Sequence, residues 1–279
     1  AEISIPIHLH THDTSGNGAA TLLMAAEAGV DIVDTAFNTM AGLTSQPPLN
    51  SIVAALTNTY RDPEMDIENI QKISNYWGAV RPVYSQFESE LKSGTAEIYK
   101  YEIPGGQYSN LKPQVESVGL GHRFKEFKEM YRKVNFMLGD IPKVTPSSKV
   151  VGDLAIFMVK NDLTPDNICE EAKNMAFPDS VEAYFKGMLG QPPGGFPKEL
   201  QQLVLKGEEP ITVRPGTLLE DFDFEKAEAE LKDEYDYEPT QKDLLAYALY
   251  PKVYKDYLDY MEEHGDLSHM GSDVYFHAL

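Results

Sequence analysis

Apolar residues change their spacing along this chain, and the change separates a short β-rich opening from a long helical remainder. From Ile3 to His12 a run rich in β-branched residues predicts a buried strand. Thr14-Ser15-Gly16-Asn17-Gly18 is a tight, Gly-rich turn. Helix-favouring residues follow from Ala19 to Ala28, with Gly29 placed as a C-cap. Val30 to Ala36 predicts a second strand. Strand, helix and strand in about 35 residues form a βαβ unit, which implies parallel strands and a right-handed crossover. A loop from Asn38 to Pro48 then leads to a helix around Ser51 to Thr57.

Beyond this point the period becomes helical. Ile67, Ile70, Ile73, Trp77, Val80, Tyr84 and Phe87 recur at three- and four-residue steps and predict one apolar face. Phe124, Phe127, Tyr131, Val134 and Leu138 repeat the pattern, as do Val150, Val151, Leu154, Phe157 and Met158. All three stripes are expected to pack in a core. Further helices are expected over 180–189, 199–205, 224–234 and 241–263. Pro104-Gly105-Gly106 and Gln191-Pro192-Pro193-Gly194-Gly195 read as loops, and the acid-rich stretch 221–238 as a solvated helix face. The final residues, Asp273 to Leu279, read as the opening of a strand without a partner. The chain also lacks an initiator Met at Ala1, so both ends are expected to be cuts from a longer polypeptide.

Composition narrows the classes. Hydrophobic residues make up 42% of the 279, enough to fill a core, so disorder is not the expectation. The net charge of −20 argues against a nucleic-acid or anionic-membrane surface, since both need clustered Lys and Arg. The longest apolar runs fall short of the roughly 20 residues that cross a bilayer. The single Cys169 rules out an intrachain disulfide and fits a reducing, cytoplasmic setting; it reads as a small buried residue.

The sharpest chemical signal is His8-Leu9-His10-Thr11-His12-Asp13. Side chains alternate along a strand, so the three imidazoles share a face, about 6–7 Å from one to the next. Two of them can grip one metal ion, at the C-terminal strand end where (β/α)₈ barrels keep their active sites. The other reading is three histidines satisfied by ordinary hydrogen bonds. Asp13 fits either a carboxylate orienting an imidazole or a turn cap, and Asp34 and Thr35 share that ambiguity. Thr145-Pro146 reads as an N-cap followed by Pro at the first helical position, as does Thr164-Pro165. Gln107 to Asn110 and Ser45-Gln46 offer amides and hydroxyls as site walls or as loop supports.

Together, the run from His8 to Gly18, Val33-Asp34-Thr35-Ala36, the segment Met40 to Pro47, Pro104 to Leu111, and Val144 to Asp153 resemble the carboxyltransferase of biotin-dependent pyruvate carboxylases. Oxaloacetate decarboxylases and transcarboxylases share these segments; Tyr250-Pro251-Lys252-Val253-Tyr254 is more similar to the pyruvate carboxylases. The resemblance implies an α/β fold: a partial (β/α)₈ TIM-type barrel, supplied by residues 1–75, followed by a mostly helical, funnel-like extension over 76–270 and the start of a further segment over 271–279. Two strands cannot close a barrel, which takes about eight, so the missing N-terminal half of the barrel is an expected partner.

The resemblance also implies roles. His10 and His12 match the family's two histidine metal ligands, with His8 just outside the pair. Its other ligands, an Asp and a carboxylated Lys, and its pyruvate-binding arginine have no match here. Thr145 matches the catalytic threonine, and Ser148 and Lys149 match residues that contact the biotin ureido group. The implied cofactors are a divalent metal, zinc or manganese, and biotin carried on another domain; the chain itself has no biotin-attachment Met-Lys signature. The implied reaction moves a carboxyl group from carboxybiotin to pyruvate, giving oxaloacetate, within a homo-oligomeric, tetrameric parent. A decarboxylase or transcarboxylase subunit, or a fragment that only binds partners, are the alternatives.

Overall fold

The computed structural model describes residues 4–278. Ile3, at the start of the expected first strand, and Leu279, at the end of the expected last one, lie outside the described residues. The chain divides into two compact units at Pro215/Gly216. No described helix is long and apolar enough to cross a membrane.

The first unit opens with the expected βαβ arrangement, in shortened form. Strands β1 (His8–Leu9) and β2 (Ile32–Val33) are parallel, pairing His8 with Ile32 and Leu9 with Val33, and helix α1 (Gly18–Glu27) links them. The Ile7 carbonyl accepts from both Asp31 and Ile32 N–H at 3.1 Å, and Leu9 accepts from Asp34 N–H at 3.1 Å. Past Leu9 the chain leaves this ladder, and Asp13 N–H bonds instead to Ser45 carbonyl at 2.8 Å. A third parallel step follows, Ala36 beside Pro48. The expectation of a buried strand fails: Ile5 is 71% exposed and Ile32 49%. Parallel strands are buried only where both faces are covered, and so short a sheet leaves these side chains open.

Helix α2 (Leu49–Leu56) precedes α3 (Ile67–Val80), whose N-cap Asp66 accepts from Glu68 and Asn69 N–H. A 3₁₀ turn continues from Arg81 to Phe87. Here the large-residue stripe is not core. Only Ile70 is buried, whereas Ile73, Trp77, Tyr84 and Phe87 stay exposed. The covered ridge is instead buried Ile70 and Ser74 with half-buried Gly78, at four-residue steps. Buried Ser74 donates to Asn50 Oδ1 at 3.2 Å and its carbonyl takes the Thr39 hydroxyl at 3.0 Å. A Cβ on Gly78 would stand 3.2 Å from Thr39 Cγ2, so small side chains let this face close on its neighbours.

The rest of the unit is one helical core. It is built by α4 (Glu97–Tyr101), α5 (Gly105–Ser117), α6 (Phe124–Met137), α7 (Ser147–Lys160), α8 (Ile168–Glu171), α9 (Asp179–Lys186) and α10 (Lys198–Leu205). The second stripe is buried as expected, with Phe127, Tyr131, Val134 and Leu138 fully enclosed, except Phe124, which is half-buried. The third is too, except Phe157, which is half-buried. Cys169 is half-buried against this core, and burial raises its thiol pKa. The expected Pro104-Gly105-Gly106 loop is in fact the start of α5, with Pro104 as N-cap. Helix α9 stops before the expected Leu189, because Gly187 takes a left-handed conformation, φ 90°.

The second unit packs α11 (Phe224–Tyr235), α12 (Gln241–Leu249) and α13 (Pro251–His264) around Ala227, Leu231, Tyr247 and Tyr254, and ends in α14 (Ser272–Ala278). Thr240 and Asp243 form a reciprocal capping box on α12. The single helix expected over 241–263 breaks at Tyr250, whose ψ of 61° lies outside the α region; the ring of Pro251 disfavours α conformation in the preceding residue. The expected closing strand is helix α14. A lone strand leaves its backbone donors unmatched, whereas a helix satisfies them internally.

Core and surface assignments separate cleanly by substitution. Leu154→Ala should cost about 2–5 kcal/mol of unfolding free energy, and Ile73→Ala less than about 1. Denaturant titration measures both; equal costs would contradict the placement of these two stripes.

Candidate functional site

His8, on β1, and His10 and His12, on the segment after it, meet two different acceptors. Asp34 stands one residue beyond β2, and the parallel register sets it beside the His8–His10 segment. Its Oδ1 lies 2.6 Å from His8 Nε2 and its Oδ2 2.7 Å from His10 Nδ1. These hydrogen bonds, from His8 first and His10 second, hold the Asp34 carboxyl below the usual carboxylate range. His12 instead places Nδ1 2.5 Å from the Thr44 carbonyl oxygen.

Acceptor chemistry then fixes the tautomers. A carbonyl can only accept, so His12 carries its proton on Nδ1. The Asp34 carboxylate does the same for His10. Both rings therefore present an Nε2 lone pair, the arrangement of an imidazole prepared as a metal ligand. The two rings lie 5.2 Å apart, centroid to centroid, at 85°. His8 uses Nε2 on Asp34 and so falls outside this pair. Among the described residues no cluster of three or more His, Cys, Asp or Glu side chains could hold a metal. The pair supplies half of a tetrahedral sphere.

Of the two aspartates weighed from sequence, only Asp34 orients imidazoles. Asp13 accepts Gly18 N–H at 2.7 Å and so fastens the start of α1.

The N-terminus of α5 closes one side of His12. A Cβ on Gly106 would fall 3.0 Å from His12 Cε1, and one on Gly105 2.9 Å from Thr14 Oγ1. Buried Thr14 donates to the Leu43 carbonyl at 2.9 Å. The glycine pair is thus a close-approach device, which brings the positive end of a helix to an imidazole. On its other side Thr44 borders a cavity of about 440 Å³, between the 40–45 segment and the exposed Trp77, Tyr84 and Phe87. Arg81 braces that wall, donating to the Thr39 carbonyl at 2.5 Å and to both Glu88 carboxylate oxygens at 2.6 and 3.1 Å.

Thr145 is not the helix cap that its sequence suggests. Helix α7 begins at Ser147 with Pro146 at the N-cap, and no side chain caps it there. The Thr145–Pro146 peptide is cis. Ser147 organises the turn, its hydroxyl lying 2.5 Å from the Pro142 carbonyl and 2.7 Å from that of Val144. The matching dipeptide behaves differently: Thr164 Oγ1 accepts Asn167 N–H at 3.3 Å, and Thr164 N–H donates to Asn167 Oδ1 at 2.7 Å. Thr145 is left exposed. Lys149, also exposed, pairs with Asp153 one turn along, and Asp153 accepts the Ser180 hydroxyl at 2.5 Å. Ser148 is buried, and its carbonyl accepts Gln107 Nε2 at 3.0 Å. Sequence placed Gln107 on a loop; its link to Ser148 depends on α5 and α7 lying side by side, which no local pattern encodes.

Comparison with known proteins places the chain in a family. Residues 98–279 match the family model described as a conserved carboxylase domain, and residues 1–76 match the HMGL-like model. The chain is 54% identical over 277 residues to pyruvate carboxylase of Bacillus subtilis and 51% identical to that of Staphylococcus aureus, covering 99% of this chain in each case. It spans 24% of the length of each of these relatives. Among solved structures, the carboxyl transferase domain of Rhizobium etli pyruvate carboxylase is similar at TM-score 0.92 and 47% identity, over 99% of this chain and 47% of that one. The same domain with pyruvate and biocytin gives a TM-score of 0.93.

The close approach of α5 is open to a direct check. Gly106→Ala should destabilise the fold by about 1–3 kcal/mol, through overpacking against His12. Gly194→Ala, where a Cβ meets nothing within 4 Å, should be neutral or slightly stabilising. Thermal unfolding of the two variants distinguishes them, and a neutral Gly106→Ala would refute the contact.

Proposed function

The chain belongs to the conserved carboxylase domain family of pyruvate carboxylases, and on that premise we propose that it carries out carboxyl transfer from carboxybiotin to pyruvate, forming oxaloacetate. In this reading residues 1–75 supply late strands of a (β/α)₈ barrel and 76–270 the helical extension over it, with 271–279 leading into a further segment. The partners are the rest of the barrel and a biotin-carrier domain, in a cytoplasmic, tetrameric enzyme. The observation that carries the proposal is the orientation of His10 and His12. Both Nδ1 atoms are committed to acceptors and the two rings lie 5.2 Å apart, so each ring keeps its Nε2 for another partner.

That donor set fits a divalent metal: zinc, which imidazole nitrogen suits, or manganese, with oxygen ligands completing the sphere. His10 and His12 would hold it; when bound it supplies Lewis-acid stabilisation of the charge that develops on the pyruvate oxygens. The chain's own residues do the rest. Removing a proton from the pyruvate methyl is the hard step, because that carbon is a weak acid. Thr145 Oγ1 takes this proton while passing its own to the carboxyl donor, the second substrate. A threonine hydroxyl is a poor isolated base, so the transfer is concerted and depends on positioning. The enolate carbon then attacks the CO₂ released by the donor.

Ser148 and Lys149 act as the contact for the biotin ureido group. Lys149 has three N–H donors, and pairing with Asp153 leaves others to reach an acceptor carbonyl. The start of α7 adds a positive field suited to a developing anion.

Two variants of the full-length polypeptide test this reading. Thr145→Ala should fold normally and still support biotin carboxylation, while oxaloacetate formation drops by about 10²–10⁴-fold. Near-normal oxaloacetate formation would rule out the role of Thr145. Asp34→Asn should weaken divalent-metal binding by about 10–100-fold in calorimetry, because His10 loses the carboxylate that fixes its tautomer. Unaltered affinity would remove Asp34 from the site.

A further inference from the structure

Residues 105–107 of α5 reach both groups of candidate residues in a single helical turn. Gly105 and Gly106 lie against Thr14 and His12, on the strand side. The next residue, Gln107, sends its amide to the other side. Gln107 Nε2 donates to the Ser148 carbonyl at 3.0 Å, and Gln107 Oε1 accepts the Tyr131 hydroxyl at 2.9 Å. The assignment of the two amide atoms is chemically determined. The Ser148 carbonyl can only accept, so the NH₂ faces it, and the Tyr131 O–H is left to donate to Oε1. Tyr131 is fully buried, and burial holds its phenol far above the ordinary value, so it remains a donor.

The surroundings are shaped for this amide. A Cβ on Gly152, one turn beyond Ser148, would lie 3.6 Å from Gln107 Nε2 and 3.2 Å from Leu111 Cδ2. The bare backbone of Gly152 therefore admits α5 against α7. Core packing alone would favour a larger apolar residue at a helix contact. A glycine there gives up that contact and leaves room for a hydrogen-bonded amide.

We propose that Gln107 is a positioning residue for carboxyl transfer, which sets the first turn of α7, with Ser148, Lys149 and the adjoining Thr145, at a fixed place relative to His12. The inference rests on the reading of those residues given above. In this role Gln107 acts through the Ser148 carbonyl and not on the reacting atoms. Tyr131 holds the amide in the one orientation that can donate. Loss of the amide leaves α5 packed on His12 through its glycines but frees the start of α7, so the two groups of residues lose their common register.

The test compares Gln107→Met, isosteric and without hydrogen-bonding capacity, with Tyr131→Phe and Thr145→Ala in the full-length polypeptide. The readouts are biocytin affinity, bound divalent metal, amide hydrogen exchange across residues 147–151, and oxaloacetate formation. Gln107→Met should weaken biocytin binding and speed exchange at the start of α7 by roughly tenfold each, the factor expected for one lost hydrogen bond. Its metal content should match that of the parent. Tyr131→Phe should move the same readouts in the same direction but less, because Nε2 can still donate from an amide now free to turn. If Gln107→Met does not fold, Tyr131→Phe decides by these readouts. Unchanged exchange and biocytin affinity in the Gln107 or Tyr131 variant, with transfer still lost in Thr145→Ala, would overturn the positioning role and leave the carboxyl-transfer reading standing. Normal transfer in Thr145→Ala would overturn that reading, and the positioning role with it.

Discussion

The contact between the first turn of α5 and the strand segment that follows β1 is the constraint from which the site follows. It holds because Gly105 and Gly106 remove the two side chains that would otherwise strike Thr14 and His12. Thr14 is in turn tied to the Leu43 carbonyl, and His12 to that of Thr44, so the 40–45 segment, the strand end and α5 lock one another. The neighbouring segment joins the same lock. Thr95 N–H bonds to the Thr14 carbonyl at 2.8 Å, and a Cβ on Gly94 would strike the Gly16 backbone at 2.6 Å. Small residues recur wherever the helical part meets the β part, because backbone has to approach backbone there.

What keeps α5 in place is partly electrostatic. Lys128 of α6 is only 7% exposed, and its Nζ pairs with Glu97 of α4. It sits 5.0 Å from the Tyr101 ring centroid, 5.3 Å from Phe124 and 5.9 Å from Tyr108. Taking an ammonium out of water costs several kcal/mol, and one partly exposed carboxylate does not repay that alone. Three aromatic faces supply the remainder, at about 0.5–2 kcal/mol each. Tyr108, on α5, also donates to Glu97 at 2.9 Å, so the charge pair binds α4, α5 and α6 together. The hydrogen bond from Lys128 holds the Glu97 carboxyl below its ordinary value. With the folded value depressed, this stabilisation is present above the unfolded carboxylate pKa and fades as pH falls through the folded one. The partial exposure of Glu97 keeps the effect small.

Much of this was legible in the sequence, and the failures have physical causes. The βαβ order and the α6 and α7 stripes could be read because local period and burial agree there. The α3 stripe misled because periodicity shows that a helix has an apolar face, not that a neighbour covers it. There the covered ridge was marked by Ser74 and Gly78, residues that an apolar count ignores. The H-x-H pair stood out by spacing alone, but Asp34 gained its role from strand register, which one strand cannot reveal. Thr145 was read as a cap because Thr-Pro so often starts a helix; one residue of offset, with Pro146 at the N-cap, changes its role. Tyr250 was legible in principle, since the residue before a proline resists the helix that the pattern drew through it.

The two candidate ligands are held unequally, and the difference bears on how the site would work. His12 is clamped between a backbone carbonyl and a helix terminus, both parts of the packed structure. His10 is 56% exposed and depends on Asp34, itself partly open to water and shared with His8. Binding that orders a mobile side chain carries an entropic cost that binding to a fixed one avoids. His12 is therefore the anchor of the pair, and the precision of any third centre bound there depends on the Asp34 carboxylate keeping His10 in place. That carboxylate also accepts a hydrogen bond from His10 Nδ1, which strengthens the ring's Nε2 as an electron-pair donor. The strand end thus carries a rigid candidate ligand, packed against α5, two residues from an adjustable one, and the register of β1 and β2 sets the Asp34 carboxylate that holds the adjustable one.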